Sequence, residues 1–231
     1  MHLVVFDVDG TLIDRTRSEV GDNCFWAALR ETLCLPFDDT CWVDGLRHVT
    51  ARCIALQLCE QRYSRTMTET EIGKLIARYD ELLAQALATE ERSSYGTKGA
   101  LELMGILDAS PDHACAIATG CFESTARRKL GKAGLDLDLP LAASDRLISR
   151  EEIMIAALNS ATERQGQAFR SVTYVGDGIW DLTAASNLGW HFVGICAGAQ
   201  AEELRHCGAA HVHPQFDPVA KILMSFDQLL T

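Results

Sequence analysis

The chain has 231 residues, enough for one large domain or for a core carrying a smaller module. Its composition, 48% hydrophobic and 23% charged, is that of a soluble globular protein, and a formal net charge of −11 argues against broad nucleic-acid binding, which relies on clustered Lys and Arg. No run reaches the ~18 apolar residues that a membrane span requires, and no basic segment leads into a separate apolar stretch, so neither a span nor a cleaved secretory signal is expected.

His2 to Phe6 is a short apolar run with β-branched residues, the pattern of a buried strand. It breaks into Asp7-Val-Asp9-Gly-Thr-Leu12, two carboxylates two residues apart at a glycine turn. Two such charges repel, and each is costly to desolvate alone. A divalent cation between them, or a reacting group that needs both, resolves the conflict.

From about Arg15 to Ser94 the pattern is helical throughout, with no strand. Helices are expected over Val20–Leu33, Leu46–Gln61 and Thr70–Thr89, the last with Ile72, Leu75, Ile76, Tyr79, Leu82, Leu83 and Leu87 at the 3.6-residue period. Thr68-Glu-Thr-Glu71 fits a capping box before it, and Pro36 with Asp38-Asp39 separates the first helix from the second.

From about Tyr95 the pattern alternates. Helix Lys98–Leu107 leads to strand Ala114–Ala118, helix Glu123–Ala133, strand Leu139–Ala143, helix Arg150–Glu163, strand Val172–Val175 and helix Trp180–Asn187. Strand His191–Gly194, a short helix near Ala201–His206 and a terminal helix Pro218–Leu230 follow. Strands separated by helices mean crossover connections, hence an α/β fold with a Rossmann-like parallel sheet covered on both faces. Residues 1–14 and 95–231 are thus expected to form the core, and residues 15–94 an inserted all-helical cap.

Ligands of such sheets sit beyond the carboxyl ends of the strands. That rule gathers Asp7 and Asp9, Thr119-Gly120, and Gly176-Asp177-Gly-Ile-Trp-Asp181 on one rim. Hard oxygen ligands in small number suit Mg²⁺, and Thr119 with the Gly120 amide can donate to an anion. Such a set suits phosphoryl transfer through an aspartyl-phosphate.

These motifs, Asp7-Val-Asp9-Gly-Thr-Leu12, Thr119-Gly120 and Val175-Gly-Asp177-Gly-Ile-Trp-Asp181, resemble those of the haloacid dehalogenase-like (HAD) hydrolase superfamily, in their order and spacing. The helical insertion resembles the cap of phosphoglycolate phosphatase-like members. The resemblance implies that Asp7 is the nucleophile and that Asp9 protonates the leaving oxygen and then deprotonates water. It further implies that Asp7, the Asp9 backbone carbonyl and Asp177 hold Mg²⁺, with Asp181 in support, and that Thr119 holds the transferring group. Dehalogenating members lack the second aspartate, so Asp9 disfavours that chemistry. One departure is that the family's lysine near the helix after the third strand is missing. Arg150 is the first candidate to replace it and Lys98 the second.

In the cap, residues 45–66 hold Arg47, Arg52, Arg62 and Arg65 against Glu60, and Arg47, His48 or Arg52 is a candidate to meet an anionic part of the leaving group. His211-x-His213 has no third ligand nearby and reads as surface. Nine cysteines with no Cys-x-x-Cys pair exclude a zinc knuckle and a redox dithiol, and fit reduced thiols in a cytoplasm. The expected activity is a Mg²⁺-dependent phosphatase of a small phosphorylated metabolite, with no nucleic-acid or membrane partner. The alternatives are a phosphomutase on the same scaffold and a weakly catalytic metal- or ligand-binding regulatory protein.

Overall fold

The computed structural model describes residues 1–35, 45–89, 95–135 and 138–230. Pro36 and the Asp38-Asp39 break lie outside the described residues. Strand β1 (His2–Phe6) is buried at every position, as a strand covered on both faces should be. It lies in the middle of a six-stranded sheet of order β3-β2-β1-β4-β5-β6, with β2 His113–Ala118, β3 Leu141–Ala142, β4 Ser171–Gly176, β5 His191–Ile195 and β6 His211–His213. All pairings are parallel. The chain leaves β1 for β2 and β3 on one side, then returns to β4 on the other. Ligand crevices open where the strand order reverses in this way.

Among the described residues, three helices follow β1: α1 (Arg15–Leu33), α2 (Ala51–Tyr63) and α3 (Glu69–Ala88). They are the inserted cap. α1 begins earlier than periodicity alone suggests because the Asp14 carboxylate caps it, accepting from the Thr16 amide at 2.9 Å. α2 begins later, because Thr50 is extended and its hydroxyl accepts from the Cys53 amide. The capping box before α3 is present in both directions.

The remaining helices are α4 (Ala100–Asp108), α5 (Glu123–Ala133), α6 (Arg150–Gln165), α7 (Ile179–Asn187), α8 (Gly198–His206) and α9 (Val219–Leu229). Alternation along β1 sends Val4 and Phe6 to the face covered by α4, α5 and α9, and Leu3 and Val5 to the face covered by α6, α7 and α8. The apolar side of the cap is continuous with the first of these faces. Phe25 of α1, Tyr79 of α3 and Phe122 before α5 make edge-on ring contacts at 5.7 and 6.5 Å that run from cap to core. Strand β3 is shorter than expected: Pro140, just before it, has no N–H to give a ladder. No described helix is long and apolar enough to cross a membrane.

Candidate active site

Parallel register fixes the geometry of the rim. Phe6 pairs with Ile117 on one side and Val175 on the other, so the residues after these strand ends emerge side by side. Oxygens of Asp7, Asp177 and Asp181 lie within 4.8 Å of one another, all three residues buried, and this is the only grouping of potential metal ligands of this kind among the described residues. Gly10, at φ +75°, is required here: a Cβ on it would run into the Asp177 carboxylate.

Asp181 Oδ2 accepts from the backbone amides of Asp177 and Gly178 at 3.1 and 3.0 Å, closing the strand-to-helix turn, while its Oδ1 faces Arg150 Nη1 at 3.0 Å. Arg150 Nη1 is also 3.3 Å from Asp7 Oδ2 and donates to the Tyr174 hydroxyl at 3.2 Å. Asp177 accepts from Arg15 at 2.9 Å and from Gln200 at 3.1 Å. Burial nevertheless dominates. It pushes Asp7 up to about 7 against the pull of Arg150, and Asp177 and Asp181 up to about 6. Three adjacent carboxylates, with only Arg150 and Arg15 against them among the described residues, are a hard-oxygen set short of positive charge. A small divalent cation fits it.

Asp9 is placed differently. Its carboxylate lies outside this group and is gripped by Lys129 Nζ at 2.8 and 2.7 Å, with the Cys121 thiol 2.6 Å from Oδ2. Thr119 is buried at the end of β2, its Oγ1 accepting from the Cys121 amide at 3.2 Å. Gly120 faces the guanidinium of Arg150, which a Cβ would approach to 2.9 Å. Asp7, Asp9, Thr119, Gly120, Arg150 and Asp177 together line a cavity of about 360 Å³ whose opposite wall comes from α1, α2 and α3. A larger cavity, about 570 Å³, lies at the other end of the sheet around His2, His113 and Arg170, away from every one of these acids.

Of the cap residues expected to meet substrate, Arg47 and Arg52 are held by other partners. Arg47, His48 and Arg52 do not line the cavity. Arg47 pairs with Glu60 at 2.9 Å on the surface, and the Arg52 guanidinium is taken by the Asp145 carbonyl and Glu69. What reaches the rim from this part of the cap is backbone: the Val49 carbonyl accepts from Arg150 at 3.0 Å and the Ala51 amide donates to the Gly120 carbonyl at 2.7 Å. Lys98, the second candidate for the missing lysine, is 70% exposed and pairs with Asp217 at 2.5 Å. His213 bonds to Ser225, and His211 and His213 belong to no metal-capable group among the described residues.

Sequence reasoning missed Arg15, Gln200, Cys121 and Lys129. The signal for Lys129 was available: it shares the buried face of α5 with Thr125, Ala126 and Leu130. A lysine in an apolar stripe calls for a buried partner.

The sequence profile described as haloacid dehalogenase-like hydrolase matches residues 1–189. The chain belongs to this family. No curated protein matches the chain. Among solved structures, similar folds include a hydrolase from Pseudomonas syringae (TM-score 0.66, 21% identity, 92% of this chain and 93% of that one). A predicted phosphoglycolate phosphatase from Haemophilus somnus is similar at TM-score 0.63, with 19% identity over 96% of this chain and 97% of that one. CbbY from Rhodobacter sphaeroides, solved in complex with phosphate, gives TM-score 0.62 and 16% identity over 93% of this chain and 94% of that one. At these identities the likeness speaks for the fold. The HAD-like hydrolase described here thus combines the family's sheet and helical cap with Arg150 beside its acidic cluster.

Proposed function

We propose that this HAD-like hydrolase is a Mg²⁺-dependent phosphatase of small phosphorylated metabolites, acting through an aspartyl-phosphate on Asp7. The observation that carries the reading is the buried convergence of Asp7, Asp177 and Asp181, with Asp9 on the same cavity but held apart from them. A cavity of about 360 Å³ suits a small ester. Asp7, Asp177 and the Asp9 backbone carbonyl would hold Mg²⁺, with Asp181 in support; bound there, the cation offsets the negative charge of nucleophile and phosphate.

Asp7 attacks phosphorus, forming the Asp7 O–P bond as the P–O bond to the leaving group breaks, and Asp9 gives its proton to the departing oxygen. Asp9 then takes a proton from water, whose oxygen attacks phosphorus and releases phosphate, regenerating Asp7. Thr119 and the Gly120 amide would hold the phosphoryl oxygens, while Arg150 balances Asp7 through both steps. The cap, taken as residues 15–94 over a core of 1–14 and 95–231, would exclude bulk water and select the leaving group. A reducing cytoplasm suits the thiol that lies against Asp9.

The direct test is hydrolysis of p-nitrophenyl phosphate with added Mg²⁺. Asp7→Asn is expected to reduce kcat by roughly three orders of magnitude or more, the scale on which removal of a covalent nucleophile is felt. A folded wild type that turns over no phosphate ester in a metabolite panel sinks the reading. Release of free phosphate, rather than an isomerised sugar phosphate, separates hydrolysis from a mutase reaction.

A further inference from the structure

Among the described residues Lys129 is the only buried lysine, with no exposed surface at all. An ammonium stripped of water is costly and persists only where other groups replace the water. Its replacements come from four separate parts of the chain. Both oxygens of Asp9 accept from it, at 2.8 and 2.7 Å, and Cys121 Sγ lies at 3.2 Å. The ring of Tyr79, from α3, has its centroid 5.8 Å from Nζ. The last wall is α1, where a Cβ on Gly21 would stand 2.8 Å from both Nζ and Cε and 3.3 Å from the Tyr79 hydroxyl. A glycine inside a helix is less favourable than alanine. Here it leaves the volume that the ammonium occupies.

The acceptor count at Asp9 shows what this arrangement achieves. Each carboxylate oxygen offers two acceptor sites. Among the described residues Oδ2 meets both Lys129 and Cys121, whereas Oδ1 meets Lys129 alone. The Asp9 side chain is 23% exposed and lines the cavity. A carboxylate with no such clamp turns about two bonds, and proton transfer demands placement within hydrogen-bond reach.

We propose that Lys129 is a positioning residue: it clamps the Asp9 carboxylate so that Oδ1 is the oxygen presented to the leaving group, and Gly21 and Tyr79 of the cap seat its ammonium. The inference rests on the phosphatase reading above. It ties the proton-transfer group to the cap, since two of the clamp's walls are cap helices.

The test exploits leaving groups. p-Nitrophenolate departs without a proton, whereas an alkoxide needs one, so kcat/KM for an alkyl phosphate reports the acid step and that for p-nitrophenyl phosphate largely does not. Lys129→Met, close in length and uncharged, is expected to lower kcat/KM on 2-phenylethyl phosphate by about 100-fold, within the range for losing a general acid, and on p-nitrophenyl phosphate by less than about tenfold. Gly21→Ala, which crowds the ammonium from the cap side, is expected to cost about tenfold on the alkyl ester in the wild-type background and less than about twofold in Lys129→Met. Thermal melts verify that each variant folds; if Lys129→Met does not, Gly21→Ala alone carries the test, through a loss on the alkyl ester that exceeds its loss on p-nitrophenyl phosphate. Equal losses on both esters, or a Gly21→Ala effect indifferent to Lys129, overturn the inference while leaving the phosphatase intact. A wild type inactive on both esters overturns both.

Discussion

On one side of the site Asp7 and Asp181 share a single buried guanidinium, Arg150, while the neighbouring Asp177 pairs with Arg15 at the rim; at the other corner Asp9 meets one ammonium, Lys129, charge for charge. The first corner is assembled from strand ends and the opening turns of α6 and α7, all of it core apart from Arg15 of α1. The second is assembled from the interiors of α1, α3 and α5, two of them in the cap. The contrast separates two jobs. The Asp7 corner is deficient in positive charge and calls for a cation from outside, whereas the Asp9 corner is complete within the chain but depends on the cap being seated.

Removing the one guanidinium of the first corner is the most damaging way to probe this contrast. Arg150→Met leaves Asp7 and Asp181 facing each other without their shared partner. Breaking a buried pair from one side costs about 3–5 kcal/mol, and loss of a preorganised electrostatic partner costs about 10²–10³ in kcat. We expect kcat/KM on p-nitrophenyl phosphate to fall by about that factor, with a drop in denaturant midpoint, and Arg150→Lys to recover activity to within about tenfold of wild type. Steady-state kinetics with urea unfolding checks both. Unchanged turnover in Arg150→Met would reduce Arg150 to a structural clamp on Val49 and Tyr174.

The charge deficit also makes metal binding visible without any turnover. Unfolded, each carboxyl titrates near 3.9. Folded and metal-free, burial holds Asp7 at about 7 and Asp177 and Asp181 at about 6, with Arg150 and Arg15 opposing. The folded state therefore carries extra protons between roughly pH 4 and 7, and the metal-free protein loses stability as pH rises through that window. A bound dication offsets the repulsion that remains. With Mg²⁺ at ~100 times its Kd at pH 7.5, Tm is expected to rise by about 5–10 °C over the EDTA-treated protein at that pH, and by much less at pH 5 with the same Mg²⁺ concentration. A Mg²⁺ shift of equal size at both pH values would show that these carboxylates hold no extra protons.

The same contrast explains what could be read in advance. The acids of the Asp7 corner lie in short contiguous motifs at strand ends, where a run of β-branched residues stops at glycine, so Asp7, Asp177 and Asp181 could be named from local pattern, whereas Arg15 could not. Crossover topology then brought Asp7, Thr119 and Asp177 to one rim, because parallel strands all end on the same side. The Asp9 corner has no such signature. Lys129 stands out only as a lysine in the apolar stripe of α5, while Gly21 and Tyr79 are ordinary helix positions until α1, α3 and α5 are packed together, and which residues face one another across that contact is a tertiary fact. Arg52 misled for a related reason: the helical face it occupies was legible, but the Asp145 carbonyl that captures it lies on the core.

Arg52 supplies the mildest test, because it belongs to neither corner. Its guanidinium ties the start of α2 to the Asp145 carbonyl and to Glu69 at the start of α3, and it is buried. The Glu69 side chain is 77% exposed, so that ion pair adds little; the bond to the carbonyl from a charged donor accounts for most of the effect, about 1.5–3 kcal/mol. Arg52→Ala is thus expected to lower Tm by several degrees while KM stays within about twofold across a panel of phosphate esters. Arg47→Ala, which loses only a surface pair with Glu60, should move Tm by less than about 2 °C. A tenfold rise in KM for Arg52→Ala on anionic esters alone would put its guanidinium on substrate after all. The cap would then have to close with a different face towards the core than the one packed against Gly120 and Arg150.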